Sequence, residues 1–252
     1  MNLRELINAG LLKIGYRLVS MRKELCNRDL DADLRNLFRG RTVETVFDVG
    51  AYDGSVAERY LDLFPVARIY SFEPNPDQLA LLKQKFPEGS RVKLTAAAVG
   101  DREGVATLHL NAFAPTNSIL PSVAGIAEQG MASLLVTERK VEVPLVTLDG
   151  FCRSHGVSQI DFLKLDVQGA EKTILQGASS LIQARAIGVI QMEINLMPYY
   201  EGQAQYYELG AILGASGYRL FNFYDGSVGK NGQLRYCDAF FLSPEMSASL
   251  VW

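Results

Sequence analysis

The stretch Thr45-Val46-Phe47-Asp48-Val49-Gly50-Ala51-Tyr52-Asp53-Gly54 constrains this chain more than any other. An apolar run of buried-strand length ends in an acid and glycines, and a helical pattern follows. In that pattern Val56, Ala57, Tyr60, Leu61 and Phe64 recur on one face. Strand, tight turn and helix form the first half of a βαβ unit. In an open parallel sheet, ligands bind beyond the carboxyl ends of the strands, where such turns lie. Gly50 has no Cβ and lets backbone come close to a ligand, and Gly54 eases entry into the helix.

Arg68-Ile69-Tyr70-Ser71-Phe72-Glu73-Pro74 reads as the next strand, closing on an acid 23 residues after Gly50. An acid there is placed to accept hydrogen bonds from ribose hydroxyls. No G-x-G-x-x-G occurs, which argues against a nicotinamide or flavin enzyme. The candidate cofactor set is therefore Asp48, Gly50, Ala51, Tyr52 and Asp53 at the first turn. Glu73, Pro74 and Asn75 join it at the second, with Ala98 and Val99 at the end of the third strand.

Five blocks occur in order: Phe47-Asp48-Val49-Gly50-Ala51, Ser71-Phe72-Glu73-Pro74, Ala97-Ala98-Val99-Gly100, Val146-Thr147-Leu148-Asp149, and the run from Asp161 through Gln168-Gly169-Ala170-Glu171. Together they resemble the FkbM family of S-adenosylmethionine-dependent methyltransferases, over about residues 43–195. The resemblance implies a class I methyltransferase fold: a Rossmann-like α/β three-layer sandwich whose seven-stranded, mostly parallel sheet ends in an antiparallel hairpin. It also implies S-adenosyl-L-methionine as cofactor, and as acceptor a hydroxyl on a sugar of a glycan or glycolipid, or on a secondary metabolite. Two positions depart from the pattern. Tyr52 stands where many class I methyltransferases have the middle glycine of their first motif, and Gln168 stands where the family usually carries glutamate.

Length and charge narrow the partners. A chain of 252 residues suffices for one large α/β domain. A net charge of −3 offers nucleic acid no general attraction. Cys26, Cys152 and Cys237 lack metal-ligand spacing and read as free thiols of a cytoplasmic protein. No apolar run approaches a membrane span, and charges at Arg4, Glu5 and Lys13 argue against a signal peptide.

Residues 1–40 read as an amphipathic helical extension to a methyltransferase domain at 41–252. Leu3, Leu6, Ile7, Leu11, Ile14, Leu18, Met21 and Leu25 form its stripe. Six basic against two acidic side chains in residues 1–28 give +4, leaving −7 for the rest. That helix packs on the core or on a second copy in a homodimer, touches anionic membrane peripherally, or caps the acceptor pocket.

Along the domain, a helix is expected over Pro76 to Phe86 and a third strand over Val92 to Val99. Further strands are expected at Ala106 to Leu110, Lys140 to Val146, Asp161 to Val167 and Ala186 to Ile194. Helices are expected over Leu148 to His155, from Gly169 through Ile182, and over Tyr206 to Ala215. Tyr218 to Tyr224 and Tyr236 to Leu242 make the closing hairpin, with Asp225-Gly226-Ser227 in its loop. Residues 111–138 are the least patterned and read as an acceptor-side lid containing Asn117 and Ser118.

Methyl transfer to a hydroxyl needs the reactants held in line and a base for the departing proton. Asp166 and Glu193 stand at the ends of late strands and are the candidate bases. Asp166 alternates with Lys164 on one strand face, Glu171 suits the first turn of its helix, and His109 is a further candidate at the lid. Two carboxylates without a third ligand specify no metal. N-methylation of an amino sugar or peptide, or cofactor binding without turnover, are the alternative functions, and Gln168 favours the last.

Overall fold

Strand-forming runs and the glycines between them build the frame that sequence periodicity anticipates. A computed structural model of the protein describes residues 29–125 and 131–250. The described strands are β1 (Thr45–Val49), β2 (Arg68–Phe72), β3 (Val92–Thr95), β4 (Ala98–Val99), β5 (Gly104–Asn111), β6 (Thr137–Val146), β7 (Ile160–Leu165), β8 (Ile187–Asn195), β9 (Arg219–Val228) and β10 (Leu234–Leu242). Seven make the main sheet in the order β3-β2-β1-β7-β8-β10-β9, and β4-β6-β5 make a small second sheet. From β3 to β8 the pairing is parallel; β10 runs antiparallel to both β8 and β9. The order reverses at β1/β7, and ligand crevices in such sheets open at that switch point.

Apolar layers cover both faces. On one side Phe47, Val49, Phe72, Leu163, Leu165, Ile190 and Met192 pack against helices Leu148–His155 and Glu171–Gly177. On the other, Val46, Ile69, Phe162, Val189 and Phe240 meet Ala57 and Tyr60 of helix Ser55–Leu63. Helix Leu30–Leu37 buries Leu30, Leu34 and Leu37 in this second layer, and Tyr224 donates a hydrogen bond to its Asp33 at 2.7 Å. The end of the 1–40 extension is thus part of the core. The amphipathic stripe and basic charges of residues 1–28 lie outside the described residues.

Three expectations are corrected. The third strand does not run unbroken to Val99: it stops at Thr95, and Ala98-Val99 cross to pair with β6 in the small sheet. The helix after Gly169 divides into Glu171–Gly177 and Ser179–Gln183. Gly177 packs so tightly that an added Cβ would stand 1.9 Å from the Gly100 carbonyl oxygen. Finally, Asp225-Gly226-Ser227 belong to β9 rather than to its loop. A register shift between Tyr236 and Asp238 of β10 absorbs them as a bulge, with Asp225 left-handed at φ 49°. Among the described residues, no helix is long and apolar enough to cross a membrane.

Candidate active site

The β1 turn is shaped by its closeness to the loop after β7. Gly50 has φ +86°, and a Cβ on it would stand 2.0 Å from the Asp166 carbonyl oxygen. The turn wraps around Glu73, whose two carboxylate oxygens accept the backbone N–H groups of Tyr52 and Asn75, each at 2.8 Å. Burial outweighs those bonds and pushes Glu73 up to about 7.

Above this turn lies a cavity of about 770 Å³, its mouth included. Gly50, Tyr52, Glu73, Pro74, Ala98 and Val99 line it, as does Asp166. Asp48, Ala51, Asp53 and Asn75 do not. Asp48 lies beneath the turn, fully buried against Lys164 at 3.3 Å. Ala51 is buried, with its N–H bonded to the Phe72 carbonyl. Asp53 accepts the N–H of Ser55 at the start of one helix, and Asn75 accepts that of Asp77 at the start of the next. These four shape the loops that carry the cavity wall.

Asp48 belongs to a polar row across the sheet. Strand register places Ser71, Asp48, Lys164 and Gln191 side by side, all buried. Burial pushes the Asp48 carboxyl up and Lys164 pulls it back; the same pairing holds Lys164 protonated. Lys164 also donates to the Gly50 carbonyl at 3.0 Å and lies 3.5 Å from Asp166 Oδ2. The lysine thus joins strand row, glycine turn and cavity acid.

Two residues beyond Gln191 along β8, Glu193 faces Asp238. The Asp166 side chain is 40% exposed, whereas Glu193 is not on the cavity wall. Burial and then the neighbouring Asp166 push Glu193 well above the usual carboxylate range. Asp238 is pushed up to about 7 by the same causes and accepts from Gln191 at 2.6 Å. Sequence reading missed Asp238, because nothing in the alternation of β10 marks a polar inward position. It also missed what holds residues 114–119 beside the cavity. Ala114, Pro115, Asn117, Ser118 and Ile119 line the cavity, and the Tyr200 hydroxyl lies 2.9 Å from the Thr116 carbonyl. The adjacent Tyr199-Tyr200 pair after Glu193 was the available signal. His109 is buried and off the cavity wall, its backbone paired with Ser118, and burial pushes its imidazole down. Among the described residues, no group of three or more His, Cys, Asp or Glu side chains is arranged to hold a metal ion.

Glu171 is buried beside this site, accepts the Gly169 N–H at 3.2 Å, and is pushed up to about 7 by burial. A carboxyl raised above its unfolded value stabilises the fold fully below about 4.5, and that contribution is lost as pH rises through about 7. Each raised carboxyl then removes up to about 1.4 kcal/mol per pH unit across that window. Glu171→Gln should therefore raise the melting temperature at pH 8 and change it little at pH 5. Equal shifts at both pH values would mean that Glu171 does not titrate between them.

The sequence model of the Methyltransferase FkbM domain matches residues 48–220, well over half of the chain. The 2-O-methyltransferase NoeI of Sinorhizobium fredii (strain NBRC 101917 / NGR234) is 28% identical over 172 residues, covering 63% of this chain and 66% of that protein. The chain thus spans just under two thirds of the length of that relative. Among solved structures, N-methyltransferase NodS from Bradyrhizobium japonicum WM9 aligns at 12% identity over 85% of this chain and 94% of its own, with a TM-score of 0.46. Precorrin-6y C5,15-methyltransferase from Geobacter metallireducens GS-15 aligns at 14% identity over 89% and 92%, with a TM-score of 0.44. The family match runs from Asp48 of β1 to Leu220 of β9 and so takes in the main-sheet strands β2, β3, β7 and β8. This chain belongs to the methyltransferase FkbM domain family.

Proposed function

We propose that the chain is an S-adenosylmethionine-dependent O-methyltransferase whose acceptor is a sugar hydroxyl in a glycan or glycolipid. One observation carries the reading: a single cavity has Glu73 at the end of β2 and Asp166 beyond the end of β7 on its walls. The first suits a ribose diol and the second a hydroxyl that must lose a proton. The walls suit the cofactor in kind, since Ala97, Ala98, Val99 and Leu108 supply apolar surface for an adenine ring. The name of the relative, 2-O-methyltransferase, supports oxygen as the methylated atom.

When bound, the cofactor supplies an electrophilic methyl group; the protein's own task is orientation and proton removal. Glu73 and the Gly50–Gly54 turn hold the nucleoside end. Asp166 takes the acceptor proton, and the lid residues Asn117 and Ser118 narrow the acceptor entrance. Lys164 lies 3.5 Å from Asp166 Oδ2 and holds that side of the carboxylate in place for the step.

The test is incubation with methyl-labelled S-adenosylmethionine and a panel of sugars, sugar nucleotides and lipid-linked glycans. Base-stable label on a sugar oxygen is expected. Label on nitrogen, or cofactor binding without transfer to any acceptor, would overturn the reading. Binding itself carries a signature. Ribose hydroxyls donate to an ionised Glu73, so affinity should rise as pH increases through about 7 and level off above it. Glu73→Gln should flatten that dependence and cost about 1–3 kcal/mol of binding. Calorimetry at pH 6, 7 and 8 showing identical affinities in both proteins would remove Glu73 from the ribose role.

A further inference from the structure

We propose that Gln168 is a positioning residue, whose carboxamide ties Asp166 to Glu193 and so aims the Asp166 carboxylate at the acceptor hydroxyl. The proposal rests on the O-methyltransferase reading and adds a residue to it.

The geometry is specific to a carboxamide. Gln168 Nε2 donates to Asp166 Oδ1 at 2.9 Å and to Glu193 Oε1 at 2.7 Å. Its Oε1 lies 3.0 Å from the Tyr200 hydroxyl, which is 2.9 Å from the Thr116 carbonyl of the lid. A primary amide has two N–H donors and one oxygen acceptor, and each has a partner here. Glutamate would lose both donors and bring a third carboxylate against two; asparagine is one methylene shorter.

The backbone shows that this arrangement is imposed. Gln168 sits at φ +58°, a left-handed conformation uncommon for a side chain of this kind. Such a conformation persists when its surroundings over-determine it. Ser118 of the lid donates to the Gln168 carbonyl at 2.7 Å, so backbone and side chain are both held. Lys164 lies 3.5 Å from Asp166 Oδ2, so the carboxylate has an amide on one oxygen and an ammonium beside the other. Asp48 and Asp238 face the group from β1 and β10, Glu171 from the helix that follows, and Tyr200 from the loop beyond β8. In the step this serves, the acceptor O–H bond breaks and its proton moves to an Asp166 oxygen. The electron pair stays on the acceptor oxygen, which becomes the nucleophile.

Gln168→Gly separates aim from folding, because glycine relieves the left-handed backbone while deleting the carboxamide. It should keep the fold and hold cofactor affinity within about threefold by calorimetry. Its kcat should fall roughly 10- to 100-fold, with KM for the acceptor little changed. Gln168→Glu should show the same fall in kcat. Tyr200→Phe, which frees only the far end of the amide, should show a smaller fall. A readout independent of turnover is the side-chain carboxyl carbon resonance of Asp166, followed by NMR in carbon-labelled protein at one pH and assigned with Asp166→Asn. It should move in Gln168→Gly, because the amide donor to that carboxyl is gone. Unchanged kcat and resonance in Gln168→Gly and Gln168→Glu would overturn the proposal. If the unmodified enzyme binds cofactor but methylates nothing, the O-methyltransferase reading fails, while the resonance still decides whether Gln168 holds Asp166.

Discussion

Asp166→Asn should lower kcat about 10²- to 10⁴-fold while leaving cofactor affinity within a few-fold of the parent, the usual cost of removing a general base. Asparagine keeps the shape of the side chain and deletes the charge. Its amide group still reaches Gln168, so the loop should remain in place. Glu193→Gln should be milder. Glu193 sits off the cavity wall and is pushed toward its neutral form by burial, so losing its charge changes less. Single-turnover rates at saturating cofactor and acceptor decide between them. A Glu193→Gln defect as deep as that of Asp166→Asn would make the two carboxyls a catalytic unit. Near-parental turnover in both variants would remove proton abstraction by either acid from the mechanism.

Gly50→Ala should be strongly destabilising. The new Cβ would stand 2.0 Å from a backbone oxygen of Asp166, at φ +86°. Left-handed backbone costs a non-glycine residue about 1–2 kcal/mol, and overpacking against a carbonyl that cannot turn away adds about 1–3 more. A total of about 2–5 kcal/mol corresponds to a fall in Tm of roughly 5–20 °C for a chain of this size. Gly89→Ala is the control. Gly89 has a similar φ of +89° but nothing within 4 Å of its added Cβ, so it carries the strain without the collision. Equal losses in the two variants would mean that the contact with Asp166 relaxes freely. A Gly50→Ala protein that also binds cofactor normally would place the nucleoside elsewhere.

The close approach of Gly50 to Asp166 also explains why the two motifs belong together. The turn after β1 and the loop after β7 are separated by more than a hundred residues. They meet because β1 and β7 are paired neighbours at the switch point of the sheet. Lys164 spans the same junction, bonded to the Gly50 carbonyl and beside both Asp48 and Asp166. The buried ammonium lies between two carboxylates, and removing Lys164 would leave the carboxyl of Asp48 buried without its cation.

Much of this was legible in the amino-acid order, because strands and the turns after them are local. A run such as Thr45–Val49 must be buried on both faces, and the acid, glycines and helical spacing that follow leave little choice of structure. The same holds for Glu73 and Asp166, whose places at strand ends follow from counting residues. What the order did not reveal depends on side chains meeting across strands. Register sets Asp48 beside Lys164, where burial demands an opposite charge. Asp53 and Asn75 accept N–H groups at the starts of two helices, partners that their places in the order do not announce. Gln168 read as a lost charge; packed between Asp166, Glu193 and Tyr200, its neutral amide supplies the two donors that two adjacent carboxyls require. Periodicity reports which way a residue faces, whereas its partner is set by strand register and by loops closing over the sheet.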